Sequence, residues 1–194
     1  MNDWKMDDNL FEGTVTLDVI KRTREYLDYL EAHVNNVKRA WELVCKACPS
    51  EKFVCDDYLY HSITDMVNKH DLSKLYEEEF VQYRRHFYPV GNDFIPDEPG
   101  NDYDMAWEHH LRVNEHHWEY WVGKLFYDPH ASTCHCVCIL LDWLAMGMFF
   151  HPDAFIDNTL AYYNNNKSKI KLPSWAHELI ITVIERISHE RYYG

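Results

Sequence analysis

The chain has 194 residues, enough for one domain with a buried core and short for two. Its 32 Asp and Glu outnumber 19 Lys and Arg, and the formal charge of −13 argues against non-specific binding to nucleic acid or to an anionic membrane. Aromatic residues make up 15% of the chain, with 7 Trp and 14 Tyr, which excludes an acidic disordered segment.

Residues 1–16 form a polar N-terminal segment without the basic start and apolar run of a secretory signal, so a cytoplasmic location is expected. Six Cys in such a chain are expected as reduced thiols rather than a disulfide scaffold. From residue 17 onward apolar residues recur at helical spacing in most segments, and no run shows sustained alternation with hairpin turns. The expected class is therefore all-α: a single domain over residues 17–194, a bundle of about six to seven helices.

The first predicted helix covers residues 17–45, with Tyr26, Leu30, His33, Val37, Trp41 and Val44 in one stripe at steps of three and four. His33 lies inside that stripe, where a buried ring needs a partner: either a backbone hydrogen bond or a metal ion. A second helix, residues 56–69, turns Leu59, Ile63, Met66 and Val67 inward and delivers His70 at its end. His70-Asp71 comes next, an imidazole and a carboxylate from one turn of backbone. They suit a divalent Mn, Fe, Ni or Zn ion, and Lys74 offers a point charge to a phosphate. The bland alternative is that Asp71 or Ser73 caps the helix beginning near Leu75.

A third helix is expected over 74–86, with Glu77-Glu78-Glu79 read as a solvated charged face from which Glu77 or Glu78 would reach the site as a base. Residues 88–101, with three Pro and two Gly, read as a loop with the character of a lid. The fourth helix, 103–121, carries four His. At about 100° per residue, His110, Asn114 and His117 share the core side with Tyr103, Trp107 and Trp121, while His109 and His116 lie about 100° round, at the edge of the site or in solvent.

The fifth helix, 134–149, contains the longest apolar run, 137–150, which falls short of the roughly 20 residues needed to span a bilayer. Asp142 is its single charged residue, and burying a bare carboxylate costs several kcal/mol unless a cation or hydrogen-bond donors compensate. The Cys134-His135-Cys136-Val137-Cys138 segment cannot point all three thiols at one ion on a regular helix, so these thiols, with Cys45, Cys48 and Cys55, read as buried side chains rather than a zinc site. Further helices are expected over 153–164 and 174–191.

In chain order the candidates are His33, His70-Asp71, His110 and His117, then Asp142. This series resembles the HD-domain superfamily of metal-dependent phosphohydrolases, over about residues 26–145. The resemblance implies that His33, His70, Asp71 and Asp142 hold one metal, and that His110 and His117 serve the second ion of two-metal members. His70-Asp71-Leu72-Ser73-Lys74 is similar to the His-Asp-x-x-Lys form of some members, which implies that Lys74 contacts a substrate phosphate; Ser73 stands where that form usually has Gly. More narrowly, Tyr29-Leu30-Glu31-Ala32-His33-Val34-Asn35, the doublet segment, and Asn114 with His116-His117-Trp118-Glu119-Tyr120-Trp121 resemble an HD-like family of phage and bacterial genomes with no established activity, so a phage-encoded copy would work in the host cytoplasm.

The expected function is hydrolysis of a small phosphate ester, a nucleotide first among them, by one or two divalent ions, with Lys74 stabilising oxyanion charge and His109 protonating the leaving group. A di-iron oxygenase on the same ligands and a non-catalytic, metal-stabilised binding protein are the alternatives. Oligomeric state is not legible.

Overall fold

The apolar stripe of the first helix is the side that the fold buries. In the computed structural model, which describes residues 15–124 and 129–193, α1 (Val15–Ala47) buries Tyr26, Leu30, His33, Asn36, Val37, Ala40, Trp41 and Val44. The polar segment expected over 1–16 lies outside the described residues except for 15 and 16, which open this helix. Along α1, Tyr26 and Leu30 join one apolar cluster with Tyr83, Ile95, Tyr103 and Ala106, while Val37, Trp41 and Val44 join a larger one. His33 falls between the two.

The remaining helices are α2 (Lys52–Cys55), α3 (Asp57–Asn68), α4 (Phe80–Phe87), α5 (Asp102–Val113), α6 (Pro129–Phe150), α7 (Phe155–Asn166) and α8 (Ser174–Tyr193). The described residues contain no strand, and the all-α expectation holds with eight helices. Asp56 starts α3 by accepting the Leu59 N–H at 3.1 Å, and Asn101 starts α5 by accepting from Tyr103 and Asp104.

α6 is the central element and packs on α1, α3, α7 and α8. Ile139, Leu140, Leu141, Leu144 and Ala145 are all almost fully buried in it, each larger side chain contributing about 1.5–3 kcal/mol of hydrophobic stabilisation. The helix is longer than expected, and its segment Ser132–Phe150 is apolar and long enough to cross a membrane; 61% of that segment is buried within the fold, as in a core helix. Cys134, Cys136 and Cys138 contact Leu59, Ala176 and Met66 respectively, three different neighbours, and burial pushes the Cys136 thiol up to about 12. No cysteine joins a metal-ligand cluster among the described residues.

α6 and α7 touch at Gly147. A Cβ there would stand 2.8 Å from Thr159 Oγ1 and 2.9 Å from the Phe155 carbonyl oxygen, so the two helices must separate to admit it. Gly147→Ala is expected to cost about 1–3 kcal/mol by overpacking. Thermal unfolding of the variant checks this; an unchanged Tm would contradict the close approach.

Two predicted helices are interrupted. In place of a helix over 74–86, a 3₁₀ turn (Leu72–Leu75) is followed by an extended residue, Tyr76, and α4 begins only at Phe80. In place of a helix over 103–121, α5 stops at Val113, Asn114 is extended, and a 3₁₀ turn covers Trp118–Trp121. The loop over 88–101 is tied down: Asp93 accepts from Arg84 at 2.6 Å, the Asp93 carbonyl from Arg85 at 2.8 Å, and the His86 ring meets the Ile95 carbonyl at 2.7 Å. Those ties hold it against α4.

Candidate metal centre

The centre begins with a turn that few residue types adopt. After α3, Asp71 takes φ 59° and ψ 16°, the one left-handed non-glycine residue among those described. Such a conformation costs a residue with a Cβ about 1–2 kcal/mol, though Asp and Asn visit it more readily than most. It brings His70 and Asp71 inward together, 6% and 4% exposed. The capping alternative does not apply: Asp71 makes no cap hydrogen bond, and the Ser73 hydroxyl donates to Glu79 Oε2 at 3.1 Å.

Two groups of ligand atoms converge on opposite oxygens of Asp71. On the Oδ2 side, His33 Nε2 lies 3.3 Å from Asp71 Oδ2, 3.0 Å from His70 Nε2 and 3.2 Å from Asp142 Oδ1; His70 Nε2 lies 3.4 Å from the same Asp142 oxygen. On the Oδ1 side, His110 Nε2 stands at 3.4 Å and His116 Nε2 at 3.3 Å, and His117 Nε2 is 2.9 Å from His110 Nε2. His33, His70 and Asp142 form one set of mutually close ligand atoms and His110, His116 and His117 another.

These spacings suit ions. Ligand atoms about 2.0–2.1 Å from one ion are about 3.0 Å apart at octahedral angles and about 3.4 Å apart at tetrahedral ones. Hydrogen bonding alone does not account for them, because a single N–H on His33 Nε2 cannot serve three partners within 3.3 Å. Asp71 Oδ1 and His116 Nε2 are buried and make no hydrogen bond, which in a native interior calls for an unseen partner.

The protonation states also fit. Burial and then the neighbouring His70 push the His116 ring down to about 4, and burial with the adjacent His116 holds His117 well below its ordinary value, so both are neutral with free lone pairs at pH 7. Burial opposes ionisation of Asp71 and Asp142, but Lys74 and His70 around the first, and His33 and His70 around the second, hold both carboxyls well below the usual range.

Glu79, fully buried, fixes the orientation of His110. Its Oε2 accepts from His110 Nδ1 at 2.8 Å and from the Ser73 hydroxyl, its Oε1 faces His109 Nδ1 at 2.8 Å, and Asn114 Nδ2 donates to Ser73 Oγ at 2.8 Å. With Nδ1–H given to Glu79, His110 must present an Nε2 lone pair to the centre. Burial would raise the Glu79 carboxyl, yet the bonds from His110, His109 and Ser73 hold it below its usual value. Glu79→Gln is expected to weaken binding at the His110 position by about 10–100-fold while sparing the His33 position. Chelator competition measures both, and equal weakening at the two would contradict this role.

A cavity of about 670 Å³ opens over the centre. His33, His117 and Asp142 line it, with Lys74, Glu119 and a wall of aromatic side chains that includes Tyr29, Tyr103, Trp107, Trp118, Trp143 and Tyr162. Lys74 is the single Lys or Arg among its described lining residues, and its Nζ is 2.7 Å from Asp71 Oδ2. Burial raises the Glu119 carboxyl, and its Oε2 is buried without a hydrogen-bond partner.

The predicted ligands His33, His70, Asp71, His110, His117 and Asp142 thus come together. His109 sits behind Glu79 and is not among the cavity-lining residues, an arrangement that gives it no line to a leaving group. His116, expected at the edge or in solvent, is 7% exposed and faces Asp71. Glu79, rather than Glu77 or Glu78, reaches the site. Nothing in the local sequence separates Glu79 from its neighbours; the run of Asn114-x-His116-His117 was the available signal for His116.

A protein-family model described as a family of unknown function (DUF5662) matches residues 22–189. No curated protein and no solved structure matches the chain.

Proposed function

This chain belongs to the DUF5662 family, and from that premise and the geometry of the centre we propose that it is a metal-dependent phosphohydrolase of the HD type, acting on a small phosphate ester and by preference a nucleotide. The observation that carries the reading is Asp71, whose two oxygens face two separate ligand clusters beside a cavity with one lysine among its described lining residues. In support, the ligands arise in the order of the HD superfamily: His33 on α1, the doublet after α3, histidines at and after α5, and Asp142 on α6.

His33, His70, Asp71 and Asp142 would hold one divalent ion and Asp71, His110, His116 and His117 a second. When bound, such a pair supplies Lewis acidity and lowers the pKa of a water towards neutrality. The protein's own residues supply the rest. Lys74, anchored on Asp71 and lining the cavity, places a positive charge for a phosphate oxygen. The aromatic wall excludes water and offers faces on which a planar leaving group stacks. Glu119 Oε2, lacking a partner, accepts a hydrogen bond from a substrate hydroxyl.

The test is phosphate release by the Mn-loaded protein, under anaerobic conditions, from nucleoside mono-, di- and triphosphates and an aryl phosphate. Release that falls about 100-fold in Lys74→Ala with metal retained is the expected result. Turnover only with iron and dioxygen, without phosphate release, would replace the hydrolase with a di-iron oxygenase. Bound metal with no turnover of either kind would leave a metal-stabilised binding protein.

A further inference from the structure

The two clusters around Asp71 are chemically unlike. One offers two imidazoles, His33 and His70, with two carboxylates, Asp71 and Asp142; the other offers three imidazoles, His110, His116 and His117, with the second oxygen of Asp71 alone. Resting on the two-metal reading above, we propose that the centre is heterobimetallic: zinc in the three-histidine position, manganese in the position of His33, His70, Asp71 and Asp142.

Imidazole nitrogen suits zinc, and carboxylate oxygen suits manganese, so replacing one carboxylate by an imidazole widens the preference for zinc over manganese. Three imidazoles and one further oxygen complete a tetrahedral zinc set. The polar residues behind each position sharpen the difference. Glu79 accepts from His110 Nδ1 at 2.8 Å, which makes its Nε2 a stronger donor to zinc. Lys74 lies 2.7 Å from Asp71 Oδ2, the oxygen facing His33, and its charge draws electron density from the other position. The first ion is therefore held more weakly.

His116 decides the assignment, since its ring also lies against His70, centroids 3.9 Å apart and planes tilted by 31°, and belongs to a second possible set with His70 and Asp71. Its Nε2, however, approaches Asp71 Oδ1 at 3.3 Å, the same oxygen that His110 approaches at 3.4 Å. That shared oxygen places it with the three-histidine group.

The experiment uses the full chain, stripped by chelator and desalted, then given one equivalent of zinc with excess manganese. Elemental analysis should return one zinc and one manganese per chain, and electron paramagnetic resonance should show an isolated Mn(II), whereas manganese alone should give a spin-coupled pair. His116→Ala and His117→Ala should each lose the zinc and keep the manganese; Asp142→Asn should lose the manganese and keep the zinc. A coupled manganese signal in the mixed sample, or variants that lose both metals equally, would overturn the heterobimetallic assignment alone. A wild-type chain that binds neither metal would overturn the two-metal reading itself. Should a variant lose its helical circular dichroism, the wild-type resonance spectrum still decides.

Discussion

Asp71→Asn is expected to empty both metal positions at once, where loss of any other ligand empties one. Asp71 is the residue that faces both clusters, with Oδ2 3.3 Å from His33 and Oδ1 within 3.4 Å of His110 and His116. An amide keeps the shape but turns one oxygen into an NH₂ with no lone pair for an ion, and it strips the negative charge from the other, so neither position keeps a carboxylate ligand from this residue. Asn is also the appropriate substitution for the backbone, because it tolerates the left-handed conformation at φ 59°, whereas Ala there would add about 1 kcal/mol of strain and blur the result. Metal content near zero, no turnover and wild-type helicity by circular dichroism are the expected outcomes. Full occupancy at either position would contradict the shared-carboxylate arrangement.

Lys74→Met is expected to show a stability loss that depends on metal. Lys74 Nζ and Asp71 Oδ2 form a buried pair 2.7 Å apart, with side chains 12% and 2% exposed. Removing one member of such a pair strands the other charge, at a cost of about 3–5 kcal/mol. That cost belongs to the metal-free protein. With ions bound to Asp71, the carboxylate keeps its positive neighbours, so the deficit should shrink to about 0.5 kcal/mol, in the range of an ordinary surface change. In the same variant kcat/KM for a phosphate ester should fall about 100-fold, as for loss of one oxyanion donor, with metal retained. Denaturant unfolding with and without Mn distinguishes the cases, and an equal loss in both would mean that Lys74 and the ions do not share Asp71.

The helices and ligands that the sequence disclosed are those whose signals are local. The α1 stripe sets His33 in register with Leu30 and Val37, and the structure buries all three. Asp142 was visible as a lone charge in an apolar run, and the doublet as two adjacent ligand types. His110 and His117 were expected on one helix face and do meet, Nε2 to Nε2 at 2.9 Å, although the helix ends between them.

What stayed hidden was non-local. No Gly or Pro lies between Tyr103 and Trp121, so nothing nearby stops that helix. It stops because Asn114 turns its amide back to the His110 carbonyl at 2.9 Å and across to Ser73, 41 residues earlier, at 2.8 Å. That break carries His116 out of helical register and into the centre. The segment after Lys74 behaves alike: it reads as helix, yet the chain extends at Tyr76 and brings Glu79 beneath His109 and His110. Both breaks satisfy buried groups on another element, a tertiary demand that overrides local propensity.

The most direct measurement is a calorimetric titration of the chelator-stripped wild-type chain with Mn(II), with elemental analysis after desalting. Two equivalents bound per chain, one more weakly than the other, are predicted by ligand clusters on either side of Asp71. No binding by a fully helical protein would contradict the centre and return His33, His70, His110, His116 and His117 to a hydrogen-bonded core.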